Sequence, residues 1–70
     1  SFVQRQLDKV TNEYKIESGN VVIEVKEYMV DGYEERRYIA NFKYRDVNYQ
    51  LMGIMNRDKF DEILNNLDFS

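Results

Sequence analysis

Two runs of alternating apolar residues, separated by a short polar segment, constrain this chain more than any other feature. They occupy residues 38–55, with the sequence YIANFKYRDVNYQLMGIM. Alternation of this kind is typical of half-buried β-strands, and the tetrapeptide RDVN at residues 45–48 has the composition of a hairpin loop. The sequence therefore predicts a β-hairpin here, with a four-residue loop, and the remaining segments can be placed against it.

A further strand is predicted over residues 21–30, which open with the β-branched, alternating run VVIEV. The Asp31-Gly32 pair that follows is among the strongest short-range signals for a hairpin turn. With these two residues at the centre of the turn, Val25 faces Tyr38 and Glu27 faces Arg36. The three strands then form an antiparallel meander.

One face of the predicted meander is apolar and forms a core surface. In the second hairpin, Phe42 faces Leu51 and Ala40 faces Gly53. The pairings place Ile23, Ala40 and Gly53 side by side, and the two small residues leave room for a helix to cross. The members of this face are Val21, Ile23, Val25, Tyr38, Ala40, Phe42, Tyr44, Tyr49, Leu51 and Met55.

Helices are predicted at both ends of the chain. Val3, Leu7, Val10 and Tyr14 recur at helical spacing, which predicts a first helix over residues 2–14. After the strands, Asn56 is a suitable N-cap for a second helix. Its apolar stripe consists of Phe60, Ile63, Leu64 and Leu67, and Phe69 is expected to tuck in behind it.

These elements predict a single small α+β domain over residues 1–70: a helix, a three-stranded antiparallel β-meander, and a C-terminal helix packed on one sheet face. A chain of 70 residues buries only about 60% of its unfolded surface, so its stability margin is small. We also expect it to be a piece of a longer protein. If it is purely a structural piece of a larger domain, the isolated chain should be marginally stable or dimeric.

The composition argues against an enzyme. There is no histidine or cysteine, so the common nucleophile–base pairs and zinc sites are absent, and three scattered glycines make no phosphate loop. Glu34 and Glu35 stand beside two arginines, as in a solvated charged segment. Asp58, Asp61 and Glu62 suit the positive end of the second helix, and no calcium-binding loop accompanies them. We therefore predict no catalytic residue, metal or cofactor.

The second face of the meander is the candidate functional surface. In the predicted register Ile39 lies beside Ile54, and Met52 and Val22 flank Asn41, which gives an apolar centre with a mildly basic rim. The predicted partner-binding residues are Val22, Ile39, Met52 and Ile54 at the centre and Tyr28, Arg37 and Lys43 at the rim.

Three interpretations of this face remain open. The first helix covers it, or a protein partner or second copy binds it, or it binds single-stranded nucleic acid as aromatic-bearing sheets do. The nucleic-acid alternative describes a small cytoplasmic binding domain. It is the least favoured, because Tyr28 alone supplies an aromatic ring and the net charge of the chain is −3. A protein partner or a homodimer is the favoured interpretation.

The C-terminal half resembles a known family. Residues 42–53 form an aromatic-bearing strand, a polar turn and a Tyr49-x-Leu51-x-Gly53 pattern, and residues 58–67, DKFDEILNNL, follow as a capped amphipathic helix. This stretch is similar to the C-terminal region of domain-of-unknown-function family 4367. Tyr44 stands where a tryptophan is common in that family.

The resemblance, which covers roughly half the chain, implies a location rather than an activity. Domains of this family lie outside the membrane in Gram-positive bacteria, often after an anti-sigma-like or lipoprotein segment. The resemblance therefore implies a non-enzymatic interaction or sensing domain of a surface or membrane-anchored protein, attached through an anchor outside this chain. The family offers no catalytic residue to transfer.

Overall fold

Four antiparallel strands and one helix make up the described part of the chain. The computed structural model describes residues 9–69, and the order of the strands in the sheet follows their order in the chain. The protein is a small α+β structure with an antiparallel sheet. Its elements are β1 (Lys9–Ser18), β2 (Val21–Met29), β3 (Arg36–Tyr44), β4 (Val47–Met55) and α1 (Arg57–Asn65).

The first element is a strand, so the prediction of an N-terminal helix over residues 2–14 is wrong for residues 9–14, and residues 2–8 lie outside the described part. The predicted order of helix, three strands and helix is wrong with it. The segment also carries period-two alternation: Tyr14 and Ile16 are half-buried, whereas Glu13 and Lys15 are exposed. Pairing with β2 gives alternate backbone groups of β1 their hydrogen-bond partners and half-buries Tyr14 and Ile16, which decides between the two periods.

The turn between β1 and β2 explains why the strand continues where a helix end was expected. Ser18 pairs with Val21 across a two-residue turn, and Gly19 has a φ of +61°. A glycine with positive φ at the first central position is the pattern of a type II′ turn, whose twist matches that of a hairpin. The break at Gly19 therefore joins two strands.

The other two connections shift the register by two residues from the predicted one. Around Asp31 and Gly32, only Gly32 has a positive φ, and the connection spans residues 30–35, so Val25 pairs with Ala40 and not with Tyr38. In the last hairpin the register shifts by two residues in the opposite direction, because the turn contains two residues and not the predicted four.

In that last turn, Arg45 and Asp46 both have positive φ, at 51° and 64°, as a type I′ turn requires. Phe42 therefore pairs with Tyr49, and Ala40 pairs with Leu51. Because both shifts are even, every side chain stays on its predicted face. The predicted row of Ile23, Ala40 and Gly53 is wrong, since Gly53 pairs with Tyr38.

The core lies between one face of the sheet and α1. Its buried members are Val21, Ile23, Val25, Tyr38, Ala40, Phe60 and Leu64. The rings of Tyr38 and Phe60 stack with their centroids 5.2 Å apart, and Phe69 packs against Phe42 and Tyr44 as expected. The prediction that the C-terminal helix covers this face is confirmed.

The start of α1 is fixed by the predicted cap. The side chain of Asn56 accepts a hydrogen bond from the backbone N–H of Lys59 at 2.9 Å, and Asp58 lies in the first turn. This arrangement satisfies one of the unpaired N–H groups at the helix start. No helix within residues 9–69 is long and apolar enough to cross a membrane.

Candidate functional site

The face of the sheet opposite α1, called the open face below, is covered by no other described element. Its centre contains three rows of cross-strand neighbours, and beyond the third row lie Glu17, Val22, Lys43 and Asn48. The first row is Val10, Tyr28, Arg37 and Ile54; the second is Glu13, Lys26, Ile39 and Met52; the third is Lys15, Glu24, Asn41 and Gln50.

An apolar patch occupies the first two rows. It consists of Val10, Tyr28, Ile39, Met52 and Ile54 and is called the open-face patch below. Met52 is 66% exposed, Val10 and Ile54 are exposed, and Ile39 is half-buried between Lys26 and Met52. Exposed apolar side chains that are contiguous mark interaction surfaces more often than isolated ones do.

The structure divides the predicted partner-binding residues into two groups. Tyr28, Arg37, Ile39, Met52 and Ile54 lie together, although Ile39 neighbours Met52 and the predicted Ile39–Ile54 pair is wrong. Val22 and Lys43 lie apart from them, on the far side of the third row. There they line a shallow groove of about 350 Å³ together with Glu24, Asn41, Phe42 and Asn48.

Sequence reasoning missed Val10, which completes the open-face patch opposite Tyr28. It was assigned to the apolar stripe of a helix, since its spacing to Leu7 and Tyr14 fits a helical period. The alternation of residues 12–17 is the signal that could have identified a strand here. It does not extend back to Val10, because a bulge between Val10 and Asn12 interrupts it. A bulge hides a strand from a strict period-two search.

The charges of the open face are nearly balanced. The register places Glu13 beside Lys26 and Lys15 beside Glu24, so opposite charges neighbour each other across β1 and β2. The basic members at described positions are Lys15, Lys26, Arg37 and Lys43, and the acidic ones are Glu13, Glu17 and Glu24. The face lacks the strong positive field that phosphate backbones require.

Tyr28 is also poorly placed as a stacking platform. The guanidinium carbon of Arg37 lies 5.2 Å from the centroid of its ring, so one ring face is already in a cation–π contact. Binding of single-stranded nucleic acid depends on aromatic rings open to the bases. The contact with Arg37 therefore occupies one of the two ring faces on which a base could stack.

A polar cluster on the covered side anchors the helix to β1. The hydroxyl of Tyr14 donates to Asp61 Oδ1 at 2.6 Å, and Arg57 Nε lies 3.3 Å from Asp61 Oδ2. The guanidinium of Arg57 also sits 4.0 Å from the centroid of the Tyr14 ring. Burial, followed by the hydrogen bond to Asp61, raises the pKa of Tyr14 well above its ordinary value.

A second polar group lies where the bulge of β1 meets β2 and β3. Glu27 accepts hydrogen bonds from the hydroxyls of Tyr38 and Thr11, each at 2.7 Å. The bond from Tyr38, followed by that from Thr11, lowers the pKa of Glu27, while burial and the hydrogen bond to Glu27 raise the pKa of Tyr38 to about 12. Because their pKa values are raised, Tyr14 and Tyr38 keep the hydroxyl protons that they donate to Asp61 and Glu27. These two hydrogen bonds link separate elements and stabilise the fold.

Within residues 9–69, no group of three or more histidine, cysteine, aspartate and glutamate side chains is arranged to hold a metal ion. An apolar groove of about 340 Å³ lies at the end of the sheet and is lined by Tyr44, Leu67 and Phe69, among others. Comparisons with protein-family models, curated proteins and solved structures found no match to this chain.

Proposed function

We propose that this chain is a non-enzymatic interaction or sensing domain that binds a protein partner through the open-face patch. The observation that carries the proposal is the contiguous set of exposed apolar side chains on a sheet face that no described element covers. Burial of apolar area contributes roughly 25 cal/mol per Å², so covering side chains such as Met52 and Ile54 supplies a driving force for binding.

The chemistry of the patch indicates the kind of partner. Its centre accepts an apolar surface, and Arg37 at its edge lies beside Ile54 and Tyr28. A partner surface of aliphatic or aromatic side chains fits this arrangement. Charged groups at the rim of an interface contribute specificity and association rate more than affinity.

We further propose that the domain belongs to a surface or membrane-anchored protein of a Gram-positive bacterium and acts outside the cytoplasmic membrane. The support is the resemblance of residues 42–67 to an extracytoplasmic family of unknown function. The membrane attachment then lies outside this chain. Protease treatment of intact cells tests the location: the domain should be degraded without lysis, and protection until lysis would place it inside.

Photo-crosslinking in the native host tests the interaction surface. A photoreactive phenylalanine analogue at Met52 should crosslink to a protein, whereas the same analogue at Ile63 serves as the matched control. Ile63 is also apolar and 42% exposed, but it lies on α1, away from the open face. A partner captured equally from both positions, or none at all from Met52, would contradict the proposal.

Titration of the purified partner makes the test quantitative. Ile39→Lys should raise the Kd at least about tenfold, because a charge in the centre of a desolvated patch removes a hot spot. Ile63→Lys should leave the Kd unchanged. An oligonucleotide titration at low salt is the parallel control, and tight binding that weakens steeply with salt would favour the nucleic-acid alternative.

A further inference from the structure

The two edges of the sheet differ in how they are protected against further strand pairing. β4 is an edge strand of nine residues, VNYQLMGIM, with no charged residue and no proline, and it pairs with β3 at every position without a bulge. The other edge, β1, carries Lys9, Glu13, Lys15 and Glu17 and a bulge after Val10. Charges and bulges are the usual devices that block edge-to-edge association, and β4 has neither.

The turn before β4 determines which of its backbone groups face outward. Tyr44 and Val47 flank a two-residue turn, so they form a hydrogen-bonded pair, and the alternation along an antiparallel ladder then follows. Every second residue from Val47 directs its N–H and C=O toward β3. The residues between them direct these groups away from β3, toward the free edge: Asn48, Gln50, Met52 and Ile54.

Side chains at this edge are also incompletely covered on the side of the sheet that α1 occupies. Val47 is 49% exposed and Tyr49 is 44% exposed, although both lie on the core face. The ring of Tyr49 stacks on Phe42 with centroids 5.3 Å apart. At the β4 edge, therefore, the core face presents apolar side chains that α1 leaves about half exposed.

We propose that β4 is a strand-addition site for a second copy of this chain. Two β4 strands pair antiparallel about a two-fold axis at Leu51, which joins the two sheets into one. This is the symmetric register that pairs all nine residues. It places Gln50 opposite Met52 of the second copy and Asn48 opposite Ile54, and about eight backbone hydrogen bonds form between the outward-facing groups.

Three features of the strand favour a second copy as the occupant. No charged side chains face each other, since β4 has none. Tyr49 lies opposite Gly53 of the second copy, and an aromatic ring that covers a glycine on the neighbouring strand is a stabilising cross-strand pair. Val47, which is 49% exposed on the core face, lies opposite Met55 of the second copy, so the dimer covers part of the apolar surface at this edge.

The proposal specifies a closed dimer. A two-fold interface uses the same patch on both copies, so pairing consumes both β4 edges. The edges left at the ends of the joined sheet are then both β1, which its charges and bulge protect. This site shares Met52 and Ile54 with the open-face patch but uses the backbone of β4, so a substitution on another strand, at Ile39, tests the patch without changing the paired edge.

Sedimentation and hydrogen exchange on the 70-residue chain test the proposal together. The sedimentation coefficient should rise with concentration from monomer to dimer and stop there. Over the same range, the amides of Gln50 and Met52 should gain protection by at least about tenfold, while those of Tyr49 and Leu51 are protected throughout by their bonds to β3.

Charge substitutions test the register. Gln50→Lys/Met52→Lys places like charges opposite each other twice and should raise the dimer Kd at least about tenfold. Gln50→Glu/Met52→Glu should do the same. An equimolar mixture of the two variants should form a heterodimer with a Kd within about threefold of the wild-type value, which also shows that both variants fold.

Val10→Lys, at the opposite edge, and Ile39→Lys, in the open-face patch, are the matched controls and should leave the dimer intact. A chain that stays monomeric up to millimolar concentration overturns the proposal. So do unchanged exchange rates at Gln50 and Met52 in a dimer, loss of the dimer in Ile39→Lys alone, or growth into open-ended polymers.

Discussion

At the scale of single residues, Gly53 connects the sheet to the helix. A Cβ at this position would lie 2.7 Å from Cε of Met55 and 3.7 Å from the ring of Phe60. The sequence predicts that this glycine makes room for a helix; the side chain of Met55 fills the space, and Phe60 of α1 lies at ordinary contact distance from it. The cross-strand neighbour of Gly53 is Tyr38, whose ring stacks on Phe60, so the three residues form one packing unit.

Substitution of Gly53 should destabilise the protein more as the new side chain becomes larger. Gly53→Ala should change the free energy of unfolding by less than about 1 kcal/mol, because the clash is with the flexible end of Met55. Gly53→Val should destabilise by about 1–3 kcal/mol, because its methyl groups reach the Phe60 ring and overpack the core. Urea denaturation measures both, and equal effects would show that Phe60 does not limit the site.

At the scale of elements, the turn at Arg45 and Asp46 determines the register of β4. Both residues adopt positive φ, a conformation that costs roughly 1 kcal/mol for most residues and little for asparagine or glycine. The exposed Lys43–Asp46 ion pair, at 4.0 Å, offsets little of this cost. The contact of Arg45 with the Tyr44 ring, at 5.1 Å, offsets more.

Replacement of the turn by its preferred sequence should therefore stabilise the protein. Arg45→Asn/Asp46→Gly is expected to raise the free energy of unfolding by about 1 kcal/mol, since both new residues accept positive φ readily. Chemical denaturation measures the change. The matched control is Gly32→Ala, which should lower stability because Gly32 has a φ of +87°. Destabilisation by the double substitution would indicate that Arg45 contributes more through Tyr44 than its backbone costs.

At the scale of the whole molecule, the two partners of one hydrogen bond, Glu27 and Tyr38, link the stability of the fold to pH. The folded pKa of Glu27 is lowered from its ordinary value of 4.5. Its contribution is therefore fully present above pH 4.5 and is lost as the pH falls through the lower, folded value. Tyr38 acts in the opposite direction: its pKa is raised from 10.0 to about 12, so its contribution is present below pH 10 and is lost as the pH rises through about 12.

Stability should consequently be flat in the neutral range and fall at both ends. Urea denaturation across pH should show an acid decline below pH 4.5 that is smaller in Glu27→Gln, which has no carboxylate to protonate. At the alkaline end, phenolate absorbance should show Tyr14 and Tyr38 ionising together with unfolding. An unchanged acid decline in Glu27→Gln would assign the effect to other carboxylates.

The sequence by itself determined which side chains share a face and where the last helix begins. Even shifts of register leave the faces intact, so the core residues on β2 and β3, such as Ile23 and Tyr38, were identified although their predicted partners were wrong. The cap at Asn56 depends only on local residues and was confirmed. For the same reason Tyr28, Ile39, Met52 and Ile54 were placed on one face, whereas Val22 and Lys43 lie apart from them and Val10 was not predicted.

The tertiary structure alone decided the state of residues 9–18, the exact pairings and the edges of the sheet. This segment carries both a helical and a period-two pattern, and only a partner strand with free hydrogen-bonding groups selects between them. The pairings depend on the number of residues in each turn, and Arg45-Asp46 gives no sign that it adopts positive φ. Once β1 pairs with β2, β4 is left as the unprotected edge, a property of the assembled sheet that no single strand contains.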